Sequence, residues 1–263
     1  MELDKARVAR WVARQDVAAL AKWLMSGTHH GKPGAPAAIK VKTAGLIGEA
    51  CSDDAERVAW AERLMASDAG VARSIACSLV PSGWALDREA TARRLRALAE
   101  DPDWEVREWA ADGLAGVLAI DFKGALPLYA DWAEQGSEEL RRAVALGLSG
   151  RSKARVAAEA EPMLAIMERL MSKPGAYLQK NLGPFALGGG FLSRFPDETL
   201  AMCRRLARRK DEHLRWNLAM CFTTAAARKH RKEGEAILDA LAGEERKRIV
   251  AAVAKARKNL AKR

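Results

Sequence analysis

The chain is predicted to be all-α, an α-solenoid of stacked helix pairs forming a curved superhelix with a concave basic face. Three observations predict it. A short pattern recurs, in which an aliphatic residue, any residue, a charged or large polar residue, any residue, an aliphatic and a small residue follow one another. It reads Val71-Ala-Arg73-Ser-Ile-Ala76, Val106-Arg-Glu108-Trp-Ala-Ala111, Leu140-Arg-Arg142-Ala-Val-Ala145, Leu178-Gln-Lys180-Asn-Leu-Gly183 and Leu214-Arg-Trp216-Asn-Leu-Ala219. The starts at 71, 106, 140, 178 and 214 are separated by 35, 34, 38 and 36 residues, the near-constant period of a repeat protein. Within each copy the first, fifth and sixth positions fall at i, i+4, i+5. An apolar or small residue follows at i+8 (Leu79, Leu114, Leu148, Ala186, Phe222), which completes the buried stripe of an amphipathic helix. The third position lies about 200° round the helix from the first, so it points away from the shared core. That column reads Arg73, Glu108, Arg142, Lys180 and Trp216, a carboxylate with cationic neighbours.

The 263 residues are expected to form one continuous domain. An N-terminal cap would occupy about 1–34, the repeats about 35–235 and a basic C-terminal helix about 244–263. Apolar residues make up 49% of the chain and charged residues 30%, enough for a stacked core with a solvated exterior. Lys and Arg exceed Asp and Glu by 44 − 34 = 10, which favours a polyanionic partner. Cys51, Cys77, Cys203 and Cys221 lie far apart among apolar or small neighbours with no C-x-x-C pair, and read as buried reduced thiols. The N-terminus is charged from its second residue, and no apolar run reaches the roughly 20 residues needed to cross a bilayer. The expectation is a cytoplasmic monomer with no membrane partner.

In order, residues 5–25 read as one long or two short helices, and the turn-forming segment 26–34 as a solvated loop. Its adjacent His29 and His30 could suggest a metal, but no supporting ligand motif is present, and no metal is expected. Helices follow at 36–51, 53–67 and 70–80, the last ended by Pro81-Ser-Gly83, and an exposed helix at 87–100. Asp101-Pro102 reads as N-cap and first helical residue of the next, with Glu105 at its positive end. Trp104 and Glu108, four apart, share one face of that helix. A purely structural alternative pairs Glu108 with Arg73 or Arg142. Helices at 123–135, 138–149 and 153–172 continue the alternation. Gly183-Pro184 then interrupts a helix, and Gly188-Gly-Gly190 reads as flexible or closely approached, not as a phosphate loop. Three basic clusters follow, at 204–210, 228–232 and 246–263, the last amphipathic through Ile249, Val250, Val253 and Leu260.

The motifs Trp104-Glu-Val-Arg-Glu108, Leu140-Arg-Arg-Ala-Val144 and Tyr177-Leu-Gln-Lys-Asn-Leu-Gly-Pro-Phe-Ala186, followed by Phe195-Pro-Asp-Glu198, resemble in order and spacing the HEAT-like DNA glycosylase superfamily with its AlkC and AlkD branches. The resemblance covers about residues 100–230 and implies HEAT-like helix pairs whose concave face holds double-stranded DNA. It implies excision of bases alkylated to a cationic form, with no cofactor. The AlkD-like tryptophan and catalytic carboxylate carry over to Trp104 and Glu108, and an arginine of the next repeat to Arg142. Arg73, Lys180, Arg107 and Arg141 would join it on phosphates, with Trp216 and Phe185 as further DNA-facing candidates. Two departures stand out. The family's second tryptophan falls on Pro184, with Phe185 offering an aromatic surface about 100° away, and Glu108 stands where the AlkD-like pattern carries Asp. The alternatives are a non-catalytic HEAT-repeat DNA-binding protein and a HEAT-repeat protein-interaction scaffold.

Overall fold

The structure, a computed structural model, describes residues 1–29 and 31–262. The readings of His30 and Arg263 lie outside the described residues. The helices gather into two compact units, Met1–Asp121 and Phe122–Arg263.

The first unit contains α1 (Lys5–Ala13), α2 (Val17–Met25), α3 (Ala37–Ala50), α4 (Asp54–Met65), α5 (Gly70–Leu79), α6 (Arg88–Ala99) and α7 (Trp104–Ile120). The N-terminal segment is thus two short helices. Asp4, Asp16, Asp53 and Asp87 each cap the helix they precede by accepting a backbone N–H three residues on. The predicted loop at 26–34 contains a two-residue antiparallel ladder, Thr28–His29 against Lys32–Pro33. Gly31 turns the chain there at φ 74°, a left-handed conformation that side chains rarely adopt. Helix α5 packs on α3, α4 and α7, and its Val71, Ala72, Ile75 and Ala76 are buried.

The second unit contains α8 (Phe122–Gln135), α9 (Glu138–Arg151), α10 (Ala157–Ser172), α11 (Ala176–Asn181), α12 (Leu192–Arg194), α13 (Pro196–Ala207), α14 (Glu212–Cys221), α15 (Arg231–Asp239) and α16 (Lys247–Leu260). Between α11 and α12 runs a ten-residue π-helix, Leu182–Phe191. The predicted interruption at Gly183-Pro184 is therefore a widening of the helix, with no break in its course. Its glycines are sites of close approach. A Cβ on Gly183 would lie 2.6 Å from the Asn217 carbonyl oxygen, and one on Gly188 2.5 Å from that of Cys221. Helix α16 buries Ile249 and Leu260 as expected, but Val250 is 47% exposed, and Ala252 and Ala256 complete the apolar face in its place.

The buried stripe matches its sequence pattern: Leu79, Leu114, Leu148, Ala186 and Phe222 are all at most 4% exposed. All four cysteines are free and buried. Burial raises the pKa of Cys51 and Cys77, and Cys221 is raised by its hydrogen bond with Cys203 and by burial. No helix among the described residues is long and apolar enough to cross a membrane.

Candidate nucleic-acid interface

Helix α7 starts two residues later than its sequence suggests. Asp103, not Asp101, is the N-cap, accepting from Glu105 N at 2.9 Å. Asp101 is drawn away because it accepts from Asp103 N at 2.8 Å and holds the Arg73 guanidinium through two bonds of 2.7 and 3.0 Å. Trp104 is thereby the first helical residue, 44% exposed, and Glu108 follows one turn later, half-buried on the same face.

The capping residues also reset the register of the repeat. Arg107, Arg141 and Arg215 each lie four residues after their N-caps Asp103, Ser137 and Asp211, and Arg73 lies four after Ala69. Arg73 therefore shares a column with Arg107, whereas the sequence pattern had aligned it with Glu108. The bonding agrees. Arg73 Nη1 donates to the carbonyls of Ser67 and Asp68, both at 2.9 Å, and Arg107 Nη1 to those of Asp101 and Pro102 at 2.6 and 3.0 Å. Arg141 donates to the Ala133 and Lys173 carbonyls at 3.0 and 2.9 Å. Arg215 reaches the Arg209 carbonyl at 3.4 Å and pairs with Glu244 at 3.0 Å. Arg73, Arg107 and Arg215 fasten the turn before their helices, because carbonyls left by the turn need donors, whereas Arg141 ties the last turn of α8 and the residue that ends α10. The sequence carried the signal, an Asp or Ser followed four residues later by Arg.

The column expected to face outward is not uniformly exposed. Arg142 is buried, 4% exposed, with its guanidinium carbon 5.0 Å from the Tyr177 ring centroid and Nη2 3.5 Å from Asn181 Oδ1. Helical phase alone missed that α11 packs on α9 and covers it. Lys180 is exposed, Trp216 is half-buried beneath the Arg248 guanidinium at 4.4 Å, and Phe185 on the π-helix is 64% exposed.

Sequence reasoning also missed a cluster beside Trp104. Lys40, fully buried, forms an ion pair with Glu105 and lies 4.8 Å from the Trp109 ring centroid. His29 Nε2 is 3.8 Å from the same Glu105 oxygen. His29 and Glu105 border a cleft of about 570 Å³, lined also by Pro33, Pro102, Asp103, Trp104 and Arg107. His29 on the hairpin, Lys40 on α3 and Glu105 on α7 meet only through folding; no spacing announces it.

Paired helices repeating at this period, with an arginine at the same place in four of the five copies of the pattern, define an α-solenoid of HEAT-like repeats. A family described as DNA alkylation repair enzyme matches residues 38–186, more than half of the chain. The chain belongs to that family. Among solved structures it is similar to AlkD2 from Streptococcus mutans, with a TM-score of 0.63 and 21% identity, over 79% of this chain and 96% of that one. No curated protein matches.

Proposed function

We propose that the protein is a DNA glycosylase that removes N3- or N7-alkylated, cationic purines from double-stranded DNA. The observation that carries this reading is the Trp104/Glu108 pair, an exposed indole and a half-buried carboxylate on successive turns of α7, in a chain of the DNA alkylation repair family. Alkylation at N3 or N7 gives the purine a positive charge and weakens its glycosidic bond, so the base leaves without being protonated. What the reaction needs is stabilisation of the cationic sugar and a positioned water. Glu108 supplies both, by its charge and by orienting or deprotonating the water. Trp104 presents its negative π face to the cationic nucleotide.

Phosphate contacts fall to exposed cations such as Lys180. Arg73, Arg107 and Arg141 have donors bound to the fold and act instead by holding its turns and helix ends in place. The test is single-turnover release of 7-methylguanine or 3-methyladenine from duplex DNA. Glu108→Gln is expected to lower release by at least about 100-fold, the lower end of general acid–base contributions, while DNA affinity persists. Equal turnover by the variant would remove Glu108 from the mechanism. The second reading, a DNA-binding protein without glycosylase activity, is favoured by Pro184 at the position of the family's second tryptophan. DNA binding without base release by the unmodified protein would select it.

A further inference from the structure

We propose that α1 and α2 form a binding site for an unpaired nucleotide, its base against the indoles of Trp11 and Trp23 and its phosphate on Arg7 and Lys22. The proposal goes beyond base release and does not involve Glu108. The site follows from helical spacing. Arg7 and Trp11 are four apart on α1, while Ala19, Lys22, Trp23 and Ser26 recur at i, i+3, i+4 and i+7 along one face of α2 and its C-cap. Gln15 lies between the two helices at φ 53°, a left-handed conformation that turns the chain. These six residues line a cleft of about 370 Å³, within the roughly 300–1,000 Å³ of small-molecule sites.

The indoles supply a surface for a flat ring. Their ring centroids are 5.8 Å apart and their planes are tilted by 46°. Both side chains are half-buried, whereas Trp60, Trp84 and Trp132, which fill the interior, are at most 6% exposed. A tryptophan pair serving only to pack the core would be covered like those three. Indole surface left open in a cleft stacks on a nucleic-acid base, and does so whatever the base, because every base has a π face.

The charges select an anion to go with that ring. Arg7 and Lys22 are exposed, and neither has a carboxylate partner among the described residues. The Arg7 guanidinium carbon lies 4.9 Å from the Trp11 ring centroid. A guanidinium stacked on an aromatic face keeps the N–H edge in its own plane for phosphate oxygens. No carboxylate is among the described residues that line this cleft. By contrast, Asp103 and Glu105 line the cleft at α7, and Glu161 and Glu198 the groove between α10 and α13, where they repel an anion. Phosphate alone would leave the indoles unused. A nucleotide uses both features, and it presents the same base and phosphate whether it is free or part of a single strand.

The test uses the full-length protein and three probes. Equilibrium dialysis measures deoxyadenosine monophosphate and inorganic phosphate, and fluorescence anisotropy measures a labelled short oligothymidylate. Trp11→Leu, which keeps an apolar side chain for packing, and the double variant Arg7→Gln/Lys22→Gln, at two exposed positions, are compared with the unmodified chain. Mononucleotide binding that falls about tenfold in each variant supports a site for the free nucleotide. Oligothymidylate binding that falls likewise supports a site for a strand. In the double variant its slope of log affinity against log salt should also drop by about 0.7 for each cation removed, which a purely structural role for these residues would not produce. Failure of the unmodified protein to bind either nucleotide probe overturns the proposal, as does binding that both folded variants leave unchanged. Inorganic phosphate bound as tightly as the mononucleotide also overturns it, since the indoles would then contribute nothing. Base release from alkylated duplex is read in a separate assay through Glu108, so either result can fail without the other.

Discussion

Two helices built on the same sequence pattern, α7 and α11, begin in opposite ways. Helix α7 caps itself through Asp103, and Arg107 ties the turn before it. Helix α11 follows Gly175, which has no side chain to offer, and at the arginine position it carries a buried Gln179. Its cap comes from outside: Glu138, the first residue of α9, accepts from Leu178 N at 2.7 Å. Glycine at 175 is what admits that carboxylate, because a Cβ there would lie 2.4 Å from the Glu138 Cδ. The self-started helix runs for 17 residues, whereas the borrowed start gives six residues before the π-helix. Between these two copies, the longer helix has its cap in its own sequence, and the shorter one takes it from a neighbour.

The largest expected effect comes from breaking the self-contained side. Arg73→Ala leaves the Asp101 carboxylate, 8% exposed, without its cation, and should cost about 3 kcal/mol in denaturant unfolding. The same variant should leave the salt dependence of DNA affinity unchanged. Lys180→Ala should do the reverse, holding stability and lowering the slope of log affinity against log salt by about 0.9. On the irregular side, Gly183→Ala forces a methyl against the Asn217 carbonyl, with an expected loss of about 1–3 kcal/mol read as a lower Tm. Glu138→Ala removes the borrowed cap and should cost about 1 kcal/mol, with faster amide exchange at Leu178 as its local signature.

The smallest effect appears only in acid. The hydrogen bond from Arg246, outweighing partial desolvation, holds Glu244 down at about 2, with help from Arg215. A carboxyl lowered on folding contributes its stability above the usual carboxylate range and loses it as pH falls from about 4.5 towards 2. Acid titration of Glu244→Gln should therefore show a shallower loss of stability over that window than the unmodified chain.

Much of this fold could be read in advance, because apolar periodicity acts within one helix. The stripe from Leu79 to Phe222 and most helix bounds followed from it. What periodicity could not supply was which polar group wins a contested partner. Arg73 fits the pattern in the outward column, yet the Ala69 start and the Asp101 carboxylate place it one column over. Arg142 has the phase of an exposed residue and is covered by α11. Proline at 184 signalled an interruption, but not that it takes the form of a π-helix or that α14 approaches closely at Gly183. The candidate site was half legible. Trp104 and Glu108 are four apart on one helix, whereas His29, Lys40 and Glu105 meet only through folding.

The four buried thiols bear on the conditions under which such a protein works. Reagents that methylate DNA also attack thiolates, and a cysteine reacts in proportion to how accessible and how deprotonated it is. Cys51, Cys77 and Cys221 are shut away from solvent and kept protonated by raised pKa values, and Cys203 is shielded with them at 0% exposure. The folded chain is thus a poor target for the electrophiles whose damage its family repairs, and it keeps that resistance only for as long as it stays folded.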